Sequence, residues 1–448
     1  MGFDGRSQPP FDEDRHPDGR PRPGYAQTLR ALEAADLDAL AVSVAAHLDA
    51  AGVTFGDGTF VIDPIPRLIA AAEWHQLERG LVQRAIALNH FLQDVYGERR
   101  IVDAGLIEAD VLDGAEGYEP DLTRRIAGDT PPAAIIGFDL VRAPDGEFLV
   151  LEDNLRTPSG FAYLLAARAA LVASLPPGLP VPRPVDPELY DLLLGTLRHA
   201  VPAGSQDDPV IVLLTDGSDN VAYYEHSIAA QRLGIPLLTP EDLQLRGLEL
   251  FARLPEGSTQ RIDVVYRRTD EDRVRDEQGR MTPVAELLLP AWLSGRLGLV
   301  NAFGNGVADD KLVHAHVEGF VRFYLDQEPL IRSVPTQSLD ADGAGDHAAA
   351  NLERLVVKPR HGHGGAGVVI GSHAGDLELA QARAELALHP ERYIAQPIVP
   401  LSRHPTVIDG RLEPRHVDLR PFAFCGPDVV LASGGLSRVA FDAGEMVV

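Results

Sequence analysis

The sequence predicts a mixed α/β (α+β) protein of several subdomains. Three stretches carry that expectation. Residues 208–243, DPVIVLLTDGSDNVAYYEHSIAAQRLGIPLLTPEDL, read strand, glycine turn, helix, strand, which is a βαβ unit. Residues 133–160 hold two β-rich runs around APDG, a hairpin turn signal. Residues 352–371, LERLVVKPRHGHGGAGVVIG, read strand, glycine-rich loop, strand.

In chain order, residues 1–24 are polar and rich in Pro and Gly, so a loosely ordered arm is expected. Residues 25–130 are expected to be mainly helical. Residues 25–50 and 71–97 have helical spacing and good helix formers, with strand and turn between them. The hairpin occupies 131–180, with strands near 134–142 and 147–154. A proline-rich connector at 175–188 and a helix from Glu188 lead into 181–330, which holds the βαβ unit. RIDVVYRRTDED, 261–272, adds a strand ending in Arg267 and Arg268, a pair able to hold a carboxylate or phosphate. The glycine-rich loop falls in the last segment, 331–448.

Composition narrows the function. The chain has 448 residues, 45% hydrophobic and 24% charged, and a formal net charge of -26. Such a field repels phosphate backbones, so no nucleic-acid partner is expected. No apolar run reaches the ~20 residues of a membrane span, and the N-terminus lacks a signal peptide, so a cytoplasmic protein is expected. Cys425 is the single cysteine and excludes an internal disulfide. A homodimer is the default oligomer.

Of 40 Lys and Arg residues only two are Lys, Lys311 and Lys358. An ammonium is a compact point charge where guanidinium is a broad fork, and a crowded phosphate site favours the former. Both lysines stand beside glycine-containing motifs. In the hairpin, a turn centred on Pro144–Asp145 sets Asp139 opposite Val150. Alternation then puts Asp139, Glu152 and Asn154 on one face, with diagonal neighbours ~7–8 Å apart. Two carboxylates and an amide oxygen are hard ligands that suit Mg2+. His361 and His363 form an HxH pair, read as loop chemistry rather than metal ligation.

Together the strand lysine, the glycine loop and the Glu-x-Asn hairpin resemble the ATP-grasp superfamily. Here the hairpin precedes the lysine strand, which is what circular permutation produces. PDGRPRPGYAQTL, FDPIPRLIAAAEW, LEDNLRTPSG, NAFGNGVADDK, VVKP, YIAQP and PRHVDLRPF look like the permuted ATP-grasp proteins related to glutathionylspermidine synthase. The resemblance implies a permuted ATP-grasp fold in which 181–330 is a Rossmann-like pre-ATP-grasp subdomain and 331–448 binds nucleotide. It also implies roles. Lys358, Lys311, Gln396 and the loop Gly362, Gly364, Gly365 and Gly367 would bind ATP. Asp139, Glu152 and Asn154 would hold Mg2+. Arg420 and Arg415 would neutralise the transferring phosphoryl group, and Arg156 and Arg268 would hold the acceptor carboxylate.

The implied reaction joins a small-molecule or peptide carboxylate to an amine through an acylphosphate. The alternatives are a catalytically weak ATP-binding partner of a larger complex and a phosphotransferase on the same scaffold. Relatives continue beyond GGLSRVAFDAGEMVV into another glycine-rich motif, so weakened nucleotide closure is expected.

Overall fold

The computed structural model describes residues 9–56, 58–123, 130–176, 179, 182–340, 343–361 and 367–445. Three sheets position the site. The first has five strands in the order Arg332–Ser333, Phe148–Asn154, Ile135–Arg142, Arg420–Cys425, Val429–Leu436. The second has four antiparallel strands, Gln337–Ser338, Tyr393–Pro397, Leu355–Pro359, Val369–Ile370. The third is parallel, in the order Gly298–Val300, Val264–Arg268, Ile211–Thr215, Leu237–Leu238. Segment 331–448 therefore supplies strands to two of these three sheets, one of them the hairpin's.

The parallel sheet follows from the βαβ reading. Ile211–Thr215 is wholly buried, as its apolar run requires. The chain leaves it through the helix Tyr223–Leu233 to pair on one side, then returns at Val264–Arg268 to pair on the other. The strand order reverses at that point, a switch that opens a crevice at the carboxyl ends of strands.

The hairpin register differs from expectation. The turn has three residues, Pro144 to Gly146, closed by Ala143 N–H to Glu147 O at 2.9 Å, with Gly146 at φ +89°. A bulge between Asp139 and Leu140 then adds one residue to the partner strand. Asp139 consequently faces Glu152, not Val150, and Gly137 faces Asn154. The two shifts keep Asp139, Glu152 and Asn154 on one face and bring the carboxylates closer than the diagonal expected.

Two further expectations change. Residues 25–50 form two helices, Ala26–Glu33 and Leu37–Ala50, because Asp36 caps the second through Ala39 N–H at 3.0 Å. Residues 9–24, expected as a loose arm, are docked. Arg403 N–H reaches Phe11 O at 2.8 Å, and buried Glu13 lies between the guanidiniums of Arg67 and Arg142. Two buried cations need a counter-charge, and the arm brings it.

The helix Ala71–Val95 runs under the first sheet and stacks Phe91 on Phe320 at 4.2 Å. Its Arg84 grips Asp153 with two bonds of 2.6 Å. His314 Nδ1 approaches the same carboxylate at 2.7 Å, and Arg84 also donates to Ser333 at 3.0 Å. Burial alone would raise the Asp153 pKa, but Arg84 and His314 together outweigh it and hold the carboxyl well below the usual range.

The sign follows. A depressed folded-state pKa contributes stability that is present above the ordinary carboxyl pKa of ~3.9 and lost as pH falls below it. Asp153→Asn should cost about 3–5 kcal/mol in urea unfolding at pH 7, because it leaves Arg84 buried and uncompensated. The variant should also lose less stability than the wild type between neutral and acid pH.

Candidate active site

The site is built where the first two sheets meet. On Leu355–Pro359, Val357 pairs with Ala395, and both pack under Leu352, Leu379 and Leu386 on the helix-covered face. Alternation turns Lys358 and Val356, with their partners Ile394 and Gln396, to the opposite face. That face carries two apolar residues, a cation and an amide. Gln396 Nε2 is fixed by Thr336 Oγ1 at 2.9 Å.

Lys358 is 5% exposed, and its Nζ lies 3.5 Å from Glu152 Oε1. Burial lowers its pKa most; Glu152 opposes that, and Lys311 adds repulsion. The only two lysines of the chain are thus electrostatic neighbours, from segments 47 positions apart in number (358 − 311). Lys311 begins the short helix Lys311–His314, capped by Asp310 through Leu312 and Val313 N–H at 2.9 and 3.1 Å. Arg360, two residues after Lys358, donates to Asp310 at 2.9 Å. That bond fixes one lysine segment against the other.

Opposite the lysines stands Asp139, 3% exposed. Arg420 grips it with bonds of 2.5 and 2.7 Å, and Arg438 reaches it at 3.0 Å. Arg438 is held by Asp418 at 2.7 Å. Burial pushes the Asp139 pKa up, but Arg420 and then Arg438 pull it net below its ordinary value. Arg438 was not singled out in the sequence; its signal was a basic residue after the last strand, Val429–Leu436.

Asp139, Glu152 and Asn154 share one face, and the Asn154 Nδ2 is buried without a partner. Two carboxylates and an amide oxygen are a hard donor set of the kind that takes a divalent cation, and here Asp139 accepts from Arg420 and Arg438 while Glu152 meets Lys358. Among the described residues no group of three His, Cys, Asp or Glu is poised to bind metal, so any such ion would need the amide and substrate oxygens.

Other expected site residues lie elsewhere or are already engaged. Arg415 donates to the carbonyls of Phe441 and Pro414 at 3.2 and 3.0 Å. Arg268 donates to Pro158 O at 2.7 Å and meets Glu225 at 3.1 Å, so it shapes the loop after the hairpin. Arg156 sits between Asp272 and Asp309 at 3.2 and 3.5 Å. His361 Nδ1 is 3.7 Å from Asp310. Gly367 adopts φ +73° at the end of the glycine loop, and Gly362, His363, Gly364 and Gly365 lie outside the described residues.

A lysine strand facing an acidic hairpin that precedes it in the chain defines a permuted ATP-grasp protein. The family of circularly permuted ATP-grasp type 2 proteins matches residues 66–440, and the chain belongs to it. A putative glutamate–cysteine ligase of Frankia casuarinae is 39% identical over 98% of this chain. The chain spans about half of that relative, 52% of its length. An uncharacterized protein of Synechocystis sp. is 41% identical over 87% of the chain and 81% of its own length. A glutathione synthetase-like effector from Globodera pallida shares the fold, with a TM-score of 0.59 over 90% of this chain and 93% of its own at 13% identity. No helix among the described residues is long and apolar enough to cross a membrane.

Two lysines make the site easy to read spectroscopically. Lysine-selective 13C labelling should give two side-chain signals, with Lys358 titrating below the ordinary lysine pKa of ~10.4. Glu152→Gln should lower it further, by removing the carboxylate that favours the charged form. A Lys358 signal that titrates normally in both proteins would sink this account.

Proposed function

We propose that the chain is an ATP- and Mg2+-dependent carboxylate–amine ligase. The observation that carries the reading is the Lys358–Glu152 approach of 3.5 Å, which joins the nucleotide strand to the acidic hairpin. A carboxylate oxygen of the acid substrate attacks the γ-phosphorus of ATP, and ADP leaves. The amine nitrogen then attacks the acyl carbon, phosphate leaves with the bond electrons, and the proton that the nitrogen sheds goes to the departing phosphate. The products are an amide, ADP and phosphate, and no protein nucleophile is required.

Lys358 and Lys311 would bind phosphate oxygens, and Gln396 would meet the base beside Val356 and Ile394. Asp139, Glu152 and Asn154 would hold Mg2+, which neutralises phosphate charge when bound. Arg420 and Arg438 face the same carboxylate and would stabilise the charge that develops in transfer. The name of the Frankia casuarinae relative makes glutamate and cysteine the first substrate pair to try.

Calorimetry with Mg·ATP tests the site. The wild type should bind; Lys358→Ala should bind about ten-fold or more weakly, the loss of one charged hydrogen-bond partner. Glu152→Ala should lose the Mg2+ dependence. Equal affinity in Lys358→Ala would refute the nucleotide assignment. ADP release in the presence of acid should rise with added amine; release independent of amine would assign a phosphotransferase, and binding without turnover a binding module.

A further inference from the structure

The ladder between Arg420–Cys425 and Val429–Leu436 ends where Arg420 faces Leu436, and Val417 bridges Val439 just beyond it. Asp418 and Arg438 face each other between those two pairs. A regular antiparallel pair there would exchange two backbone bonds. One is kept, from Asp418 N–H to Arg438 O at 3.2 Å. The Arg438 N–H instead meets the Asp418 carboxylate at 2.9 Å. The Asp418 carbonyl accepts from Arg67 at 2.8 Å. Arg67 thus takes the place of a ladder bond, at the point where the two strands part.

The same guanidinium nitrogen of Arg67 reaches Ser437 Oγ at 3.3 Å. Arg67 therefore holds both residues that set the aim of Arg438. Asp418 binds the Arg438 side chain at 2.7 Å, and Ser437 precedes Arg438 in the chain. The Arg67 side chain is 6% exposed, and its other terminal nitrogen pairs with Glu13 of the arm. Glu13 also meets Arg142 at 3.3 Å. A buried guanidinium needs its counter-charge, so the arm fixes Arg67 as Arg67 fixes the strand ends.

The two arginines on Asp139 differ in their support. Arg420 lies within a strand and grips Asp139 with bonds of 2.5 and 2.7 Å. Arg438 lies past the end of the last strand and reaches Asp139 at 3.0 Å. A side chain on irregular backbone takes its direction from its anchors. Groups that stabilise charge in a transition state act only when held in place beforehand.

We propose that Arg67, fixed by Glu13, is a positioning residue for phosphoryl transfer, setting Arg438 against Asp139 through Asp418 and Ser437. Arg67 itself touches neither Asp139 nor the lysines. The proposal rests on the ligase reading, and it makes the N-terminal arm part of the reaction machinery.

Calorimetry on the full chain tests it with two probes. One is Mg·ADP; the other is Mg·ADP with aluminium fluoride, which stands in for the phosphoryl group during transfer. The wild type should bind the fluoride complex more tightly. Arg67→Gln should weaken that complex about ten-fold or more, with Mg·ADP held within about two-fold. Arg438→Gln should weaken it by a similar factor. Adding Arg67→Gln to Arg438→Gln should then cost less than about two-fold more, because one residue acts through the other. A merely structural loss would lower the melting temperature without this selectivity or this coupling. Arg67→Lys keeps the charge that faces Glu13 but not the fork, and should fall between. Circular dichroism checks folding; if Arg67→Gln fails to fold, Arg67→Lys must weaken the fluoride complex several-fold for the proposal to stand.

An unchanged fluoride complex in a folded Arg67→Gln would overturn the proposal and leave the ligase reading in place. Equal weakening of both probes would do the same, as would full additivity in the double variant. A wild type that binds neither probe, or gains nothing from aluminium fluoride, would remove the ligase reading and the positioning role with it.

Discussion

One buried carboxylate holds the geometry of the candidate site together. Asp153 stands between Glu152 and Asn154 on the hairpin, and strand alternation sends it to the opposite face. There it binds Arg84 of the long helix and His314 of the Lys311 helix. Its neighbours face the site. The same three residues therefore tie the hairpin to the core on one side and present metal-type donors on the other. A shift of one residue in register would exchange the two faces, put Glu152 against Arg84 and send Asp153 into the site. The bulge at Asp139 and the three-residue turn set that register.

Charge compensation organises the rest of the site. Asp139 is matched by Arg420 and Arg438, Lys358 by Glu152, and Asp310 by Arg360. Each pair crosses between segments distant in sequence, and Lys358–Glu152 fastens the lysine strand's sheet to the hairpin's. Removing one member leaves the other buried and unpaired, which costs more than the pair itself contributes. The same reasoning extends to the arm, where Glu13 compensates Arg67 and Arg142.

The permuted order is consistent with this physics. The hairpin and the lysine strand meet through side chains and do not need to be consecutive. What they require is a body that holds them in register. Here the strands Arg420–Cys425 and Val429–Leu436 return from the end of the chain to the hairpin's sheet. Segment 331–448 thus contributes the lysine strand to one sheet and Arg420 to the other.

The sequence by itself determined the element types, the βαβ unit, the shared face of Asp139, Glu152 and Asn154, and the rarity that singled out Lys311 and Lys358. These are local matters, set by periodicity, turn residues and composition. Only the tertiary structure decided which charge meets which. It drew Arg438 to Asp139, docked Glu13 between two arginines and broke the first expected helix at Asp36. It also separated Arg267 from Arg268, adjacent residues of like chemistry: Arg268 forms an ion pair with Glu225, while Asp272 acts on Arg267 from beyond ion-pair distance. Burial and long-range pairing are properties of packed surfaces, and a sequence read along its length does not state which surfaces will pack.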